Sequence, residues 1–84
     1  MQMIAHYTIR DEASFRAAFD ADAEDRGLNG LTLLQLWRED ATSIWALFSV
    51  SDAKAARAYL DGGARVFDSQ AGVTARSHHF VETA

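Results

Sequence analysis

Two histidines and one arginine are the side chains of this sequence best suited to acid–base catalysis and to holding an anion. His6 stands near the start of the chain, and Arg76 and His78 stand two positions apart near its end. Histidine titrates near neutral pH and serves as a general base, while a neighbouring arginine holds a carboxylate or an enolate. We expect His6 to be the base of any catalytic site, with Arg76 or His78 stabilising the anion. The alternative is that both histidines are exposed or hydrogen-bonded in an interface.

Aromatic and amide side chains are the candidates for a ligand-binding wall. Trp37 and Trp45 are the only tryptophans of the chain and can stack on an aromatic ligand or on a partner's ring. Tyr7 can donate a proton to a ligand, and Gln35 shares the strand face of Trp37. The alternative for the tryptophans is packing in the core or in an interface, and the alternative for Tyr7 is packing in the core with its hydroxyl hydrogen-bonded.

Several other kinds of site are excluded by residue type or spacing. The sequence has no cysteine, so it forms no disulfide, thiolate nucleophile or cysteine-bound zinc site. His78 and His79 are neighbours on a predicted strand and point to opposite faces, so they cannot share one metal ion. Neither a nucleophile elbow nor a phosphate-binding glycine loop is present. We expect no metal and no cofactor.

Length and charge set the class of protein. A chain of 84 residues makes one domain, spanning residues 1–84. A formal net charge of -4 speaks against a nucleic-acid partner, which requires a clustered basic face. No apolar run approaches the roughly 18 residues that span a bilayer, and the N-terminus does not have the pattern of a signal peptide. We therefore expect a cytoplasmic protein without a membrane partner.

The residue patterns predict six elements in the order β-α-β-β-α-β. Apolar residues alternate over four segments, which predicts strands at residues 2–9, 31–38, 43–50 and 73–82. Asp11 is the predicted cap of a first helix that ends at Gly27, and Asp52 caps a second helix that Gly62 and Gly63 interrupt. This order predicts a ferredoxin-like α+β fold, in which both helices cover one face of a four-stranded antiparallel sheet. Strands one and three are expected in its centre.

The sheet face without helices, here called the bare face, is predicted to be strongly apolar. We place on it Leu31, Leu33, Trp37, Trp45 and Leu47. The pattern of strand four leaves both faces open, which decides between His78 and His79; we place Arg76, His78 and Phe80 on the bare face and His79 on the helix side. Burying one large side chain is worth about 1.5–3 kcal/mol, and a monomer rarely leaves such a patch in water. We therefore predict a homodimer packed sheet to sheet. The alternative is a misassigned face whose residues belong to the core.

The sequence resembles the dimeric α/β-barrel superfamily over nearly its whole length. The resemblance is carried by the opening strand Ile4-Ala5-His6-Tyr7, the paired aromatics Phe15 and Phe19, the Ser51–Tyr59 segment and the closing His79-Phe80-Val81-Glu82 strand. These are similarities of pattern, without a catalytic signature. The superfamily includes the antibiotic-biosynthesis-monooxygenase-like proteins. Membership implies a dimer with a cleft between each sheet and its helices, and chemistry that includes cofactor-free oxygenation and isomerisation.

Two functional hypotheses follow from these observations. In the first, the protein binds or transforms a small apolar or aromatic molecule, as a monooxygenase-like or an isomerase- or cyclase-like protein. In the second, it is a non-catalytic homodimeric scaffold or partner-binding module. A cavity with convergent polar groups favours the first hypothesis, and a dry packed seam favours the second.

Overall fold

Eight elements form along the chain in the computed structural model, which describes residues 1–84. They are β1 (Gln2–Ile9), α1 (Glu12–Ala21), α2 (Ala23–Leu28), β2 (Leu31–Asp40), β3 (Ser43–Val50), α3 (Ala53–Asp61), α4 (Gly63–Ala71) and β4 (Val73–Val81). Each predicted helix is therefore a pair of short helices. None of the four has the length and hydrophobicity that crossing a membrane requires.

Aspartate caps start the helical segments where the sequence predicts them. The Asp11 carboxylate accepts a hydrogen bond from the backbone N–H of Ser14 at 2.7 Å, and Asp52 accepts one from Ala55 at 3.0 Å. Each bond satisfies a backbone donor that the first helical turn leaves without a partner. The prediction that Gly27 ends the first helical segment is wrong, because this glycine lies inside α2.

The sheet is antiparallel, with strand order β2-β3-β1-β4. Strands β1 and β3 occupy the centre, and the helices pack on one face, so the predicted ferredoxin-like α+β fold is confirmed. The core between the helices and the sheet is rich in aromatic rings. Its largest fully buried side chains are Phe15, Phe19, Phe48 and Met3.

Two residues of β2 lie on the opposite face from the one predicted. Leu31 pairs with Val50 and is 2% exposed in the core, and Leu33 pairs with Phe48 on the same helix side. The register shifts between Leu33 and Gln35, and this irregularity returns the odd-numbered residues to the bare face. An extra residue in one strand moves every later side chain to the other face, which strict alternation cannot foresee.

The prediction for β4 is also wrong in its choice of face. Arg76 pairs with Tyr7, His78 with Ala5 and Phe80 with Met3, so all three lie on the helix side. His79 pairs with Ile4 and lies on the bare face. Of the six large residues predicted for that face, only Trp37, Trp45 and Leu47 remain there, and Ile4 joins them.

A buried charged cluster links Arg26 of α2 to α1 and to Tyr59 of α3. Arg26 is 6% exposed, donates to the Phe19 carbonyl at 2.8 Å and stacks 3.8 Å above the Phe19 ring. Its Nη1 lies 3.5 Å from the Asp22 carboxylate, which also accepts a hydrogen bond from the Tyr59 hydroxyl. Burial, with this hydrogen bond, raises the pKa of Tyr59. The phenol therefore stays protonated and acts as a donor that fixes the carboxylate.

Candidate functional site

A cleft opens between helix α1 and the β2–β3 side of the sheet, with a volume of about 370 Å³. Its wall combines apolar and charged side chains from three elements: Glu12, Phe15, Arg16, Leu36, Trp37, Arg38 and Ile44. We call it the α1 cleft. Phe15 and Ile44 belong to the buried core, at 1% and 3% exposure, and form a rigid apolar floor. A floor of this kind suits a flat hydrophobic ligand.

A double hydrogen bond between Glu12 and Arg38 links the two sides of the α1 cleft. The Arg38 guanidinium donates from Nε to Oε1 and from Nη2 to Oε2, the second at 2.6 Å. The same hydrogen bonds lower the pKa of Glu12, so this carboxyl stays ionised at neutral pH. Both residues are exposed to solvent, and pairs in this setting contribute little to stability. The pair is therefore a contact that a ligand can displace.

A second polar cluster surrounds His6 on the bare face. His6 Nε2 lies 2.6 Å from the Ser43 hydroxyl, which lies 2.8 Å from Oε1 of Glu39. The Trp45 indole donates to the same carboxylate oxygen at 2.8 Å, and the His6 and Trp45 ring centroids are 4.4 Å apart. Donation from Trp45 and Ser43 lowers the pKa of Glu39, so the carboxylate remains ionised and accepts hydrogen bonds only.

The ionised carboxylate fixes the direction of every hydrogen bond in this cluster. Ser43 has one hydroxyl proton and gives it to Glu39, so His6 must donate its Nε2–H to the serine oxygen. The other ring nitrogen, Nδ1, has no hydrogen-bond partner within the chain. The geometry does not activate Ser43 as a nucleophile, because the serine proton points away from the imidazole.

The residues predicted to bind a ligand are divided between the two faces and the core. Trp37 lines the α1 cleft from the edge strand, in register with Trp45 on the bare face. Gln35 lies opposite Leu47 on the bare face. Tyr7 is 2% exposed in the core, where its ring packs 5.2 Å from that of Phe15. Burial raises the pKa of Tyr7, which keeps the phenol protonated.

Arg76 and His78 do not join His6, because they lie on the helix side. Arg76 donates to Asp68 of α4 at 2.9 Å, lies 5.2 Å above the Tyr7 ring, and keeps a buried Nε without a partner. His78 stands near the edge of the sheet with its ring against Phe80, and partial burial, helped by Arg76, lowers its pKa. The proposed trio of His6, Arg76 and His78 is thus not assembled within one chain.

Comparison with known proteins identifies the fold. No protein-family model and no curated protein matches the sequence. Among solved structures, SnoaB, a cofactor-independent oxygenase from Streptomyces nogalater, aligns over 99% of this chain and 92% of its own, with 20% identity and a TM-score of 0.70. A mutant of SnoaB aligns over 99% and 93% with 20% identity and a TM-score of 0.65.

The chain has the fold of SnoaB. Protein Atu4242 from Agrobacterium tumefaciens also aligns, over 100% of this chain and 94% of its own, with 16% identity and a TM-score of 0.52. The resemblance predicted from the sequence is confirmed at the level of the fold. At identities of 16–20% these superpositions show the fold alone, and the chemistry must be argued from the residues of this chain.

Four polar residues of the α1 cleft and the His6 cluster were not predicted from the sequence: Glu12, Arg38, Glu39 and Ser43. Glu12 and Arg38 are 26 residues apart, and no local pattern connects the first turn of a helix with an edge strand. Glu39 and Ser43 flank the turn between β2 and β3, where polar residues usually indicate only a solvated turn. No group of three histidine, aspartate or glutamate side chains converges as metal ligands.

Proposed function

We propose that the protein binds a small, largely aromatic molecule in the α1 cleft and acts on it without a bound cofactor. The observation that carries the proposal is the composition of this cleft. Phe15, Leu36 and Ile44 offer an apolar surface, and the Glu12–Arg38 pair beside it offers convergent polar groups. The fold shared with a cofactor-independent oxygenase supports oxygenation as the type of reaction.

Binding in the α1 cleft is tested by methyl NMR, because the chain has three isoleucines in three environments. Ile44 lines the cleft, Ile4 lies on the bare face and Ile9 is in the core. With 2-naphthamide as a neutral aromatic probe, we expect a saturable shift of the Ile44 methyl signal and no shift of the Ile4 signal. The proposal is contradicted if the probe shifts the Ile4 methyl signal alone. It is also contradicted if millimolar probe shifts no methyl signal.

We also propose that a second copy of the chain covers the bare face. Trp37 and Trp45 are 48% and 37% exposed there, and Ile4 and Leu47 lie beside them. Trp45→Arg puts a charge on the bare face and keeps a hydrogen-bond donor for Glu39. This variant should sediment as a monomer. The matched control Val66→Arg changes a 62%-exposed residue of α4 and should leave the dimer intact. A wild-type monomer contradicts the proposal.

The role of His6 as a catalytic base remains a proposal of its own, since His6 and the α1 cleft lie on opposite sides of the sheet. If His6 is the base, the reaction takes place at the bare face, between the two copies, and not in the α1 cleft. His6→Ala should then abolish turnover while far-UV circular dichroism and sedimentation remain unchanged. Normal turnover by this variant contradicts the role.

The second candidate function is a non-catalytic dimeric module. One observation favours it: the only carboxylate in the α1 cleft is engaged by Arg38, so no free base faces a bound ligand. Oxygen uptake with an ionisable aromatic such as 1-naphthol separates the candidates, because oxidation to a naphthoquinone consumes one O₂ and releases one water per naphthol. Probe binding without uptake above the uncatalysed rate favours the module.

A further inference from the structure

We propose that the ligand of the α1 cleft is an aromatic carboxylate, and that its carboxylate replaces that of Glu12 on Arg38. The inference rests on the proposed function, which assigns aromatic binding to this cleft. It adds the charge of the ligand, the residue that recognises this charge, and an internal group that competes with the ligand for the same site.

The first support is the geometry of the Glu12–Arg38 contact. Arg38 uses Nε and Nη2 together on the two oxygens of one carboxylate. A planar guanidinium recognises planar carboxylates through this paired arrangement, and a neutral amide offers only one acceptor oxygen. Glu12 therefore occupies the position of a carboxylate ligand and shows how such a ligand would be held.

The second support is the charge of the wall. The charged side chains of the α1 cleft are Arg16, Arg38 and Glu12, which leaves one positive charge in excess. The whole chain has a formal net charge of -4, so the cleft is opposite in sign to the protein that surrounds it. Arg16 is weakly engaged, with its Nε 3.4 Å from Asp20 and its side chain 59% exposed. It is free to turn toward an anion that displaces Glu12.

The third support is the position of the pair relative to the apolar floor. Arg38 pairs in register with Ile44, whose side chain forms part of that floor. Glu12 stands one helical turn before Arg16 and directly precedes the turn that carries Phe15. An aromatic ring against Phe15 and Ile44 therefore brings a carboxylate attached to it close to the Arg38 guanidinium.

The test compares 2-naphthoate with 2-naphthamide, which have the same ring and almost the same shape but differ in charge. The Ile44 methyl signal reports binding at low ionic strength, with Ile4 as the internal reference. We expect 2-naphthoate to bind at least fivefold more tightly than 2-naphthamide. The preference should shrink in high salt, because exposed charges are screened.

Two variants with matched controls assign the preference to its residues. Arg38→Gln should reduce the ratio of the two affinities to about one, whereas Arg65→Gln on α4 should keep the ratio. Glu12→Gln removes the carboxylate that competes with the ligand for Arg38. It should tighten 2-naphthoate binding about two- to fivefold, which corresponds to the free energy of an exposed ion pair. Glu24→Gln, in the first turn of α2, should change nothing.

The outcomes separate this inference from the proposed function. Equal affinities for the two probes, with Ile44 shifted by both, overturn the carboxylate inference and leave aromatic binding in the α1 cleft. A preference for 2-naphthoate that survives Arg38→Gln also overturns it. If neither probe shifts Ile44, the proposed function is wrong and the inference is wrong with it.

Discussion

The substitution Asp22→Asn should lower the free energy of unfolding strongly, because it removes the charge opposite the buried Arg26 side chain. Asp22 is the acidic partner of Arg26, whose side chain is 7% exposed, and Asp22→Asn leaves that guanidinium without a countercharge. Breaking a buried ion pair from one side costs roughly 3–5 kcal/mol. The Asp22 side chain keeps 17% exposure and the contact is 3.5 Å long, so the lower end of the range applies, about 3 kcal/mol. For a domain of this size, that loss corresponds to a fall in Tm of about 12–24 °C.

Urea unfolding followed by circular dichroism measures this loss directly. Asp20→Asn is the matched control, because Asp20 pairs with Arg16 on the same helix but is 65% exposed. Exposed pairs contribute little, so the control should change the free energy of unfolding by less than about 0.5 kcal/mol. If Asp22→Asn falls within the same range as Asp20→Asn, the reasoning that Arg26 depends on a buried countercharge is refuted.

Three further predictions concern a turn and the two polar clusters. Gly30→Ala should cost about 2 kcal/mol or more in urea unfolding, because Gly30 has φ +80° and a Cβ there would lie 2.9 Å from a backbone nitrogen; a loss below about 0.5 kcal/mol would contradict this. Long-range ¹H–¹⁵N NMR should find neutral His6 protonated at Nε2, and Ser43→Ala should weaken that preference; an Nδ1-protonated ring in the wild type would show that the hydrogen-bond direction is reversed. The Arg38 hydrogen bonds lower the pKa of Glu12, so the ion pair is intact above the ordinary glutamate pKa and is lost as pH falls through the lowered value. Carboxyl ¹³C titration should show this midpoint rise in Arg38→Gln, and an unchanged midpoint would contradict the pairing.

The topology could be predicted from the sequence because each element carries a local signal. The aspartate caps at Asp11 and Asp52 and the alternation of Ser43–Val50 act within a few residues, and the structure follows them. Strand order then follows from the order of elements and the handedness of crossovers. The strand order could therefore be predicted without knowledge of any long-range contact.

Side-chain direction on the edge strands could not be predicted in the same way. Strand β2 shifts its register after Leu33, and the β1–β4 pairing shifts between Thr8 and Ile9. Each shift exchanges the two faces for the residues on one side of it, and neither is marked by a glycine or a proline. For this reason Arg76 and His78 were expected beside His6 and lie instead on the helix side.

The candidate site was only partly accessible from the sequence. Trp37 and His6 were selected by residue type, and the structure gives each a polar or aromatic setting. The partners that define those settings were not selected. Glu12 and Arg38 meet only through the tertiary fold, and the link from Ser43 to Glu39 depends on the shape of the β2–β3 turn. A sequence reading identifies reactive groups more readily than the neighbours that orient them.

We propose that an aromatic molecule lies in the α1 cleft against Phe15 and Ile44. The most direct measurement is a set of intermolecular nuclear Overhauser effects between the aromatic protons of 2-naphthamide and the isoleucine methyl groups. We expect contacts to the Ile44 methyl and none to Ile4, which lies across the sheet on the bare face. Contacts to Ile4 without contacts to Ile44 would place the ligand on the bare face and contradict binding in the α1 cleft.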